Sequence, residues 1–506
     1  MGIAKTHELL TNTWSTSRLA LATDAVVANG QIVCRSSIAN PSNGCVPLNR
    51  IGIGPVNADA LNYIFNDGRQ PSRRQRIQQD VAAFSVQTND LFENWTGPVS
   101  FAFGGEYRKE SVDGSISPDA PNNTGFLYGN YRVTTGDFSV KEGFIETIFP
   151  VFDGLDLNGA LRVTDYSTSG TVTTWKLGGT WQVIDDIKFR VTRSRDIRAP
   201  NLNDLFAPGT ARTNTVNVPL PGGGQRSDTF LEQTTGNVSL KPEVARTWGA
   251  GVVLTPTFLP GFAASADYFD IELVDAIANI TAQTTANLCF EQNVASQCAQ
   301  IAFAAPNDIS QITLVPFNFA SIKTRGIDFE ASYRAPVASG NLTLRAVVSH
   351  YITNTTNNGI NAPVDLAGQN AGGGDATPSW NYRLSANYDA ESWAVNFVGR
   401  GFSGGVYNNN FIECQTTCPA STADFRTINT NQIAGQWYLD MSLTKRLEIG
   451  GANAEVFLYI RNLFNTDPVL VGNGPTGDNT PAYPQTNRNL YDVLGRVFRI
   501  GARIKI

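Results

Sequence analysis

The feature that most limits what this chain can become is a period of two. In one run Val99, Phe101, Phe103, Gly105 and Tyr107 alternate with Ser100, Ala102, Gly104, Glu106 and Arg108. In another, Trp380, Tyr382, Leu384, Ala386 and Tyr388 alternate with Asn381, Arg383, Ser385, Asn387 and Asp389. The C-terminal run sets Phe498, Ile500, Ala502, Ile504 and Ile506 against Arg499, Gly501, Arg503 and Lys505. Similar patterns occupy 155–166, 175–183, 326–335, 341–352 and 437–447. Successive side chains of a strand point to opposite faces, so each run is a strand with one apolar and one polar face.

Such strands suit either a soluble sandwich, which buries the apolar face against a second sheet, or a membrane barrel, which turns it to lipid. Strand ends and connections separate the two. Trp175, Trp181, Trp380, Tyr388, Trp393 and Trp437 stand near strand ends, where interfacial aromatic girdles belong. Short polar turns at 152–156, 184–188, 257–261, 336–341, 389–393 and 448–454 alternate with long stretches. These stretches run over 29–75, 111–133, 200–239, 275–310, 354–377, 404–432 and 467–489. Short turns on one side and long loops on the other mark an outer-membrane barrel. The expected fold class is all-β, a large antiparallel transmembrane β-barrel of about sixteen strands. The opening residues, His7 among them, are left outside the strand set.

Composition narrows the function. Charged residues are 16% of 506, low for a soluble protein, and the net charge of −6 opposes nucleic-acid binding. No run of 18 apolar residues offers a transmembrane helix. With two histidines, His7 and His350, there is little material for His-based catalysis or metal sites. Ser349 and His350 point to opposite faces of one strand and form no nucleophile–base pair. His350 shares the register of Leu342, Leu344, Ala346 and Val348, an interfacial position. The Gly-rich stretches 221–226 and 371–376 lack a following Gly-Lys-Ser/Thr and read as loops. The loop 465–479 lacks EF-hand spacing and reads as solvated rather than Ca²⁺-binding. No catalytic residue, cofactor or metal site is expected.

Six cysteines form three local pairs within long loops: Cys34 with Cys45, Cys289 with Cys298, and Cys414 with Cys418. Even number and close spacing, without a Cys-x-x-Cys zinc pattern, predict disulfides made in an oxidising compartment. The N-terminus has no apolar signal-peptide core. An exported chain without one is expected to start inside a longer protein.

Seven runs together resemble the barrel of TonB-dependent outer-membrane receptors of Gram-negative bacteria. They are FGGEYRKES (103–111), YSTSGTVTTWKLG (166–178), SRDIRAPNLNDLF (194–206), LKPEVARTWGAGV (240–252), TRGIDFEASY (324–333), RNLFNTDP (461–468) and YDVLGRVFRIGARIKI (491–506). The resemblance implies energised uptake of a scarce solute such as a siderophore or other metal chelate, cobalamin or an oligosaccharide. It implies a monomer in outer-membrane lipid. The TonB coupling complex would be reached only through an N-terminal region not seen here, with the plug domain. The whole chain, 1–506, then reads as an N-terminally truncated barrel domain of a family whose barrels have roughly 22 strands, with closure in question and an empty lumen. The alternative is a passive porin-like channel. The polar faces are expected to line the lumen, with Arg383, Asn387, Arg499 and Arg503 pointing inward. Pro242, Gly326, Asn462 and Pro468 read as strand and turn punctuation. Arg195, Asp196 and Arg198 read as a structural ion cluster at the rim. Substrate-binding residues cannot be named.

Overall fold

A computed structural model describes residues 1–49, 57–65, 67, 69–117, 125–127, 131–219, 224–305, 308–358, 363–371, 376–422, 425–449, 451–471 and 486–505. Sixteen long strands form one sheet, joined by the two-residue strand Val364–Asp365. In chain order they are Gly2–Leu9, Ser72–Glu93, Pro98–Ile116, Thr135–Phe152, Leu155–Tyr166, Gly170–Ile184, Ile187–Arg198 and Glu243–Leu254. Then follow Phe262–Ala278, Phe317–Val337, Gly340–Asn357, Trp380–Ala390, Trp393–Phe402, Gln436–Ile449, Ala452–Arg461 and Val497–Lys505. Each pairs antiparallel with the next, from Gly2–Leu9 on Ser72–Glu93 to Ala452–Arg461 on Val497–Lys505. No register joins the last strand to the first among the described residues.

The first strand corrects the sequence reading. Gly2–Leu9 pairs residue for residue with Ser72–Gln79. Its eight residues are too short and too mixed to show a period, and its partner lies over sixty residues away. Only the pairing makes it a strand.

Connections sort by side. On one side lie 94–97, 153–154, 185–186, 255–261, 338–339, 391–392 and 450–451. On the other lie 10–71, 117–134, 199–242, 279–316, 358–379, 403–435 and 462–496, and one three-residue turn, 167–169. The tight turns need special backbone. Gly154 has φ +81°, and a Cβ there would sit 2.5 Å from the Gln182 carbonyl oxygen.

The long connections carry their own small cores. Strands Thr210–Pro219, Gln225–Thr234, Ile301–Ala305 and Asp308–Leu314 form a four-stranded sheet. Val216, Phe230, Ala286, Ile309 and Ile312 pack beneath it, with helix Ala282–Phe290 capped by the Thr281 side chain. Helices Thr16–Thr23 and Ala58–Ile64 pack through Ala22, Tyr63 and Ile64. Cys34 is bonded to Cys45, Cys289 to Cys298, and Cys414 to Cys418, with no free cysteine among the described residues.

Register resolves the two faces of the wall. Leu344, Leu384 and Phe397 line one shallow apolar groove with Ala346, Ala386 and Leu439. This face ends in aromatic rows. Towards the short turns, Tyr388 meets Trp393 at 5.1 Å and Phe152 meets Trp181 at 6.3 Å. Towards the long loops, Trp380 stacks on Tyr382 at 6.2 Å, and Tyr382 on Trp437 at 5.0 Å. His350 lies flat against Trp380 at 4.1 Å, and its Nδ1 is 3.0 Å from the Ser379 carbonyl oxygen. Eight residues from Trp380 to Tyr388 span about 26 Å along the strand, against an apolar band about 25 Å tall in barrels of this type.

Two outcomes follow. Leu384→Arg, midway between the aromatic rows, should destabilise the barrel by about 2–4 kcal/mol in vesicle-based urea unfolding. A change under about half a kcal/mol would mean that this face does not meet lipid. Reduction of the disulfides should weaken the local loop units by about 2–3 kcal/mol each. The readout is faster proteolysis within 35–45, 289–298 and 414–418 with unchanged barrel melting; free thiols on non-reducing peptide mapping would refute the pairing.

Candidate functional site on the polar face

The polar face is a ladder of ion pairs between neighbouring strands and between strands one further apart. Arg162 donates to Glu142 at 3.0 Å, Arg190 to Asp267 at 2.6 and 2.5 Å, and Arg345 to Glu330 at 2.8 Å. Nearer the short turns Arg446 meets Asp389 at 2.7 Å, and Arg503 meets Glu455 at 3.2 Å. Arg162, Arg345 and Arg503 meet carboxylates on the adjacent strand, whereas Arg190 reaches over Gly251 of the intervening strand and Arg446 reaches past the 391–392 turn.

One node is denser, and both of its carboxylates are buried. Arg400 Nε donates to Asp440 Oδ2 at 2.9 Å, and its guanidinium also reaches both carboxylate oxygens of Asp492. Arg461 Nη2 donates to Asp492 Oδ1 at 2.5 Å. The Arg400 guanidinium lies 4.6 Å from the Tyr438 ring centroid, and the Tyr438 hydroxyl accepts the Asp492 backbone N–H at 3.1 Å. Asp440 also accepts the backbone N–H of Asn462 at 2.8 Å. Asn462 is fully buried at φ +53°, and its side chain holds both the N–H and the carbonyl of Thr466. It ends the strand as expected, yet it is also a member of this node.

The node ties loops to the wall. Asp492 and Tyr491 belong to the connection 462–496; Tyr491 packs edge-on against Phe402 at 5.1 Å and donates to the Ala434 carbonyl at 2.5 Å. Asn487 donates to the Asn370 carbonyl at 3.1 Å, and Asn370 to the Ser403 carbonyl at 2.9 Å. Three long connections therefore converge over one stretch of the polar face. Buried asparagines on these loops find their partners on the other loops. Beneath them remains a cavity of about 320 Å³ lined by Ser349, Asn381, Arg383, Arg400, Tyr438 and Asn489.

The four residues expected to point inward lie in this register. Arg383 stands directly opposite Arg400 and lines the cavity, without an ion pair among the described residues. Asn387 faces Thr343 and Asn396. Arg499 faces Tyr459, and Arg503 is bound to Glu455. The Arg195, Asp196 and Arg198 cluster does not form. Arg198 pairs with Glu243 at 2.7 Å and with Asp204 at 3.0 Å, whereas Arg195 donates to the Thr173 carbonyl on the opposite face. Asp196 accepts from the Ser194 hydroxyl at 2.6 Å. Sequence reading missed Arg400, Asp440, Arg461 and Asp492, which are brought together from four separate segments. The loop 465–479 and the Gly-rich stretches 221–226 and 371–376 lie partly outside the described residues. No cluster of three or more potential metal ligands occurs among the described residues.

Burial alone would raise the Asp492 carboxyl, but hydrogen bonds from Arg400 and Arg461 outweigh it and hold it below the usual carboxylate range. A carboxyl depressed in the folded state stabilises above its unfolded pKa of about 4 and loses that contribution as pH falls through its folded value. Acidification below about pH 4 should therefore release the 486–496 segment before the strands, seen as faster amide exchange there. Asp492→Asn should remove that pH dependence; its persistence would exclude Asp492 as the cause. Arg400→Ala leaves Asp440 and Asp492 buried with less compensation and should cost about 3–5 kcal/mol.

Comparison with known proteins agrees with the architecture. The family described as "TonB dependent receptor-like, beta-barrel" matches residues 42–463. The siderophore receptor PirA of Acinetobacter baumannii superposes with a TM-score of 0.55 at 14% identity, over 86% of this chain and 55% of that one. A mutant of the ferric enterobactin receptor PfeA of Pseudomonas aeruginosa gives a TM-score of 0.56 at 14% identity, over 90% of this chain and 57% of that one. The vitamin B12 transporter BtuB of Photobacterium profundum is 20% identical over 166 residues, 31% of this chain and 24% of that protein. The chain thus spans little more than half the length of these solved structures.

Proposed function

Because the chain belongs to the TonB-dependent receptor-like β-barrel family, we propose that residues 1–506 supply the wall and outer loops of an outer-membrane receptor for a scarce solute. The family match over 42–463 carries this reading. The sorting of short and long connections supports it, as does the division into apolar and polar faces. In this reading the polar face, with Arg383, Asn387, Arg499 and Arg503, lines the lumen. The loops tied to the Arg400 node form part of the outer mouth. The protein is a transporter component and not an enzyme.

The solute class is a metal chelate of the siderophore kind, cobalamin or an oligosaccharide. PirA and PfeA are a siderophore receptor and a ferric enterobactin receptor, and BtuB a vitamin B12 transporter, by their names. Energy coupling would reach this wall through a plug and a TonB-contacting segment supplied by sequence outside these residues. The wall would work as a monomer in the outer membrane of a Gram-negative bacterium.

Uptake measurements test the division of labour. The 506-residue chain, exported behind a signal peptide, should give no TonB-dependent accumulation of ferric siderophores, cobalamin or oligosaccharides. Placed behind a plug and TonB-contacting segment from a receptor of this family, it should accumulate one class, and deletion of TonB should abolish this. Coupled uptake by the 506-residue chain alone would overturn the reading. So would a joined protein that gives only TonB-independent leakage graded by solute size.

A further inference from the structure

The outer, apolar face changes character towards the long-loop side of five neighbouring strands. Register sets Trp175, Arg195, Arg246, Glu272 and Lys323 in one row. The row below it holds Leu177, Arg193, Trp248, Asp270 and Arg325. These side chains share the face of Phe189, Val191, Ala250 and Val252, so the cations belong to the lipid side and not to the polar ladder.

Arg195 and Arg246 stand directly opposite one another, an arrangement that is repulsive unless an anion lies between them. Their own partners are weak neutralisers. Arg195 donates to the neutral Thr173 carbonyl, and Arg246 is 3.8 Å from Glu272. Arg193 lies 4.8 Å over the Trp248 ring. Asp270 is engaged by Arg325 at 3.0 Å, and Lys323 has no ion pair among the described residues. The two rows thus carry five cations against two carboxylates, a net charge of +3.

Directly on the short-turn side of these rows the same strands, with the adjoining strand Leu155–Tyr166, form a shallow groove of about 690 Å³, lined by Leu157, Trp181, Phe189, Val191, Val252 and Phe329. Positive charge at the level of the Trp175 and Trp248 indoles, above an apolar groove, complements a molecule with an anionic head and a hydrocarbon tail.

We infer that this surface holds a phosphate-bearing lipid of the outer leaflet, its phosphate between Arg195 and Arg246 and beside Arg193, its acyl chain in the groove. The inference rests on the reading of this face as the lipid-facing one. Protease protection of the chain in neutral phosphatidylcholine vesicles tests that reading separately.

Native mass spectrometry of the full chain in a neutral detergent tests the site, with dilauroyl phosphatidic acid and dilauroyl phosphatidylcholine as equal-tailed probes. The chain should retain phosphatidic acid about tenfold or more over phosphatidylcholine, and rising salt should erode the preference. Arg195→Gln with Arg246→Gln should bring the two lipids within about twofold of each other, while Arg345→Gln on the polar face leaves the preference intact. Inorganic phosphate should compete only weakly, because it cannot use the groove. Equal retention of the two lipids by the unsubstituted chain would overturn the site, whether or not the double variant folds. An undiminished preference in a folded double variant would also overturn it. Competition by phosphate as strong as that by the lipid would remove the groove from the proposal.

Discussion

Everything in this molecule depends on where backbone N–H and C=O groups find partners. In hydrocarbon an unpaired group costs several kcal/mol, so a strand can cross only with a neighbour on each side. Fifteen consecutive antiparallel registers meet that demand for the fourteen strands between the first and the last. Once the backbone is committed to neighbours, each side chain has only two directions available. The apolar face, the polar face and the aromatic rows that bound the apolar one all follow from that restriction. Irregularities then have local causes. At Gly326 a register shift follows Arg325, and an added Cβ would meet the Phe269 ring at 2.5 Å.

The polar face shows how such a wall tolerates charge. Its paired arginines outside one node meet carboxylates on the adjacent strand or one strand further on, exposed enough that each pair adds little stability. The Arg400 node differs because its two carboxylates are buried and come from a strand and from a loop. It turns a strand-to-strand contact into an attachment of loop to wall. Its value lies in placing the 486–496 segment, since a buried ion pair is strongly destabilising only when one partner is removed.

Much of the fold was legible in short windows. Alternation over Trp380–Tyr388 or Phe498–Ile504 needs no knowledge of distant residues, and neither does a cysteine pair closed over a few residues of polar loop. His350 was correctly placed with Leu344 and Val348 by period alone, although its stacking on Trp380 depends on which strand lies beside it. The ion cluster at 195–198 shows the limit of such reading. Proximity in sequence suggested one group, whereas the period of two sends Arg195 to the apolar face and Arg198 to the polar one. The small loop sheet around Ile312 was not legible, because its strands come from two connections and one of its pairings is parallel.

The sequence by itself determined the periodicity, and through it the strands that show it, the sorting of loops and the sign of each face. These are properties of a residue and its neighbours two places away. Tertiary structure alone decided which strands adjoin, and so which charges meet. It made Gly2–Leu9 a strand by giving it Ser72–Gln79, and it set Arg383 opposite Arg400. It also gathered Arg400, Asp440, Arg461 and Asp492 into one node around two buried carboxylates. The physical reason is range: alternation is written along one strand, whereas a cross-strand contact depends on the register and length of everything between its two partners.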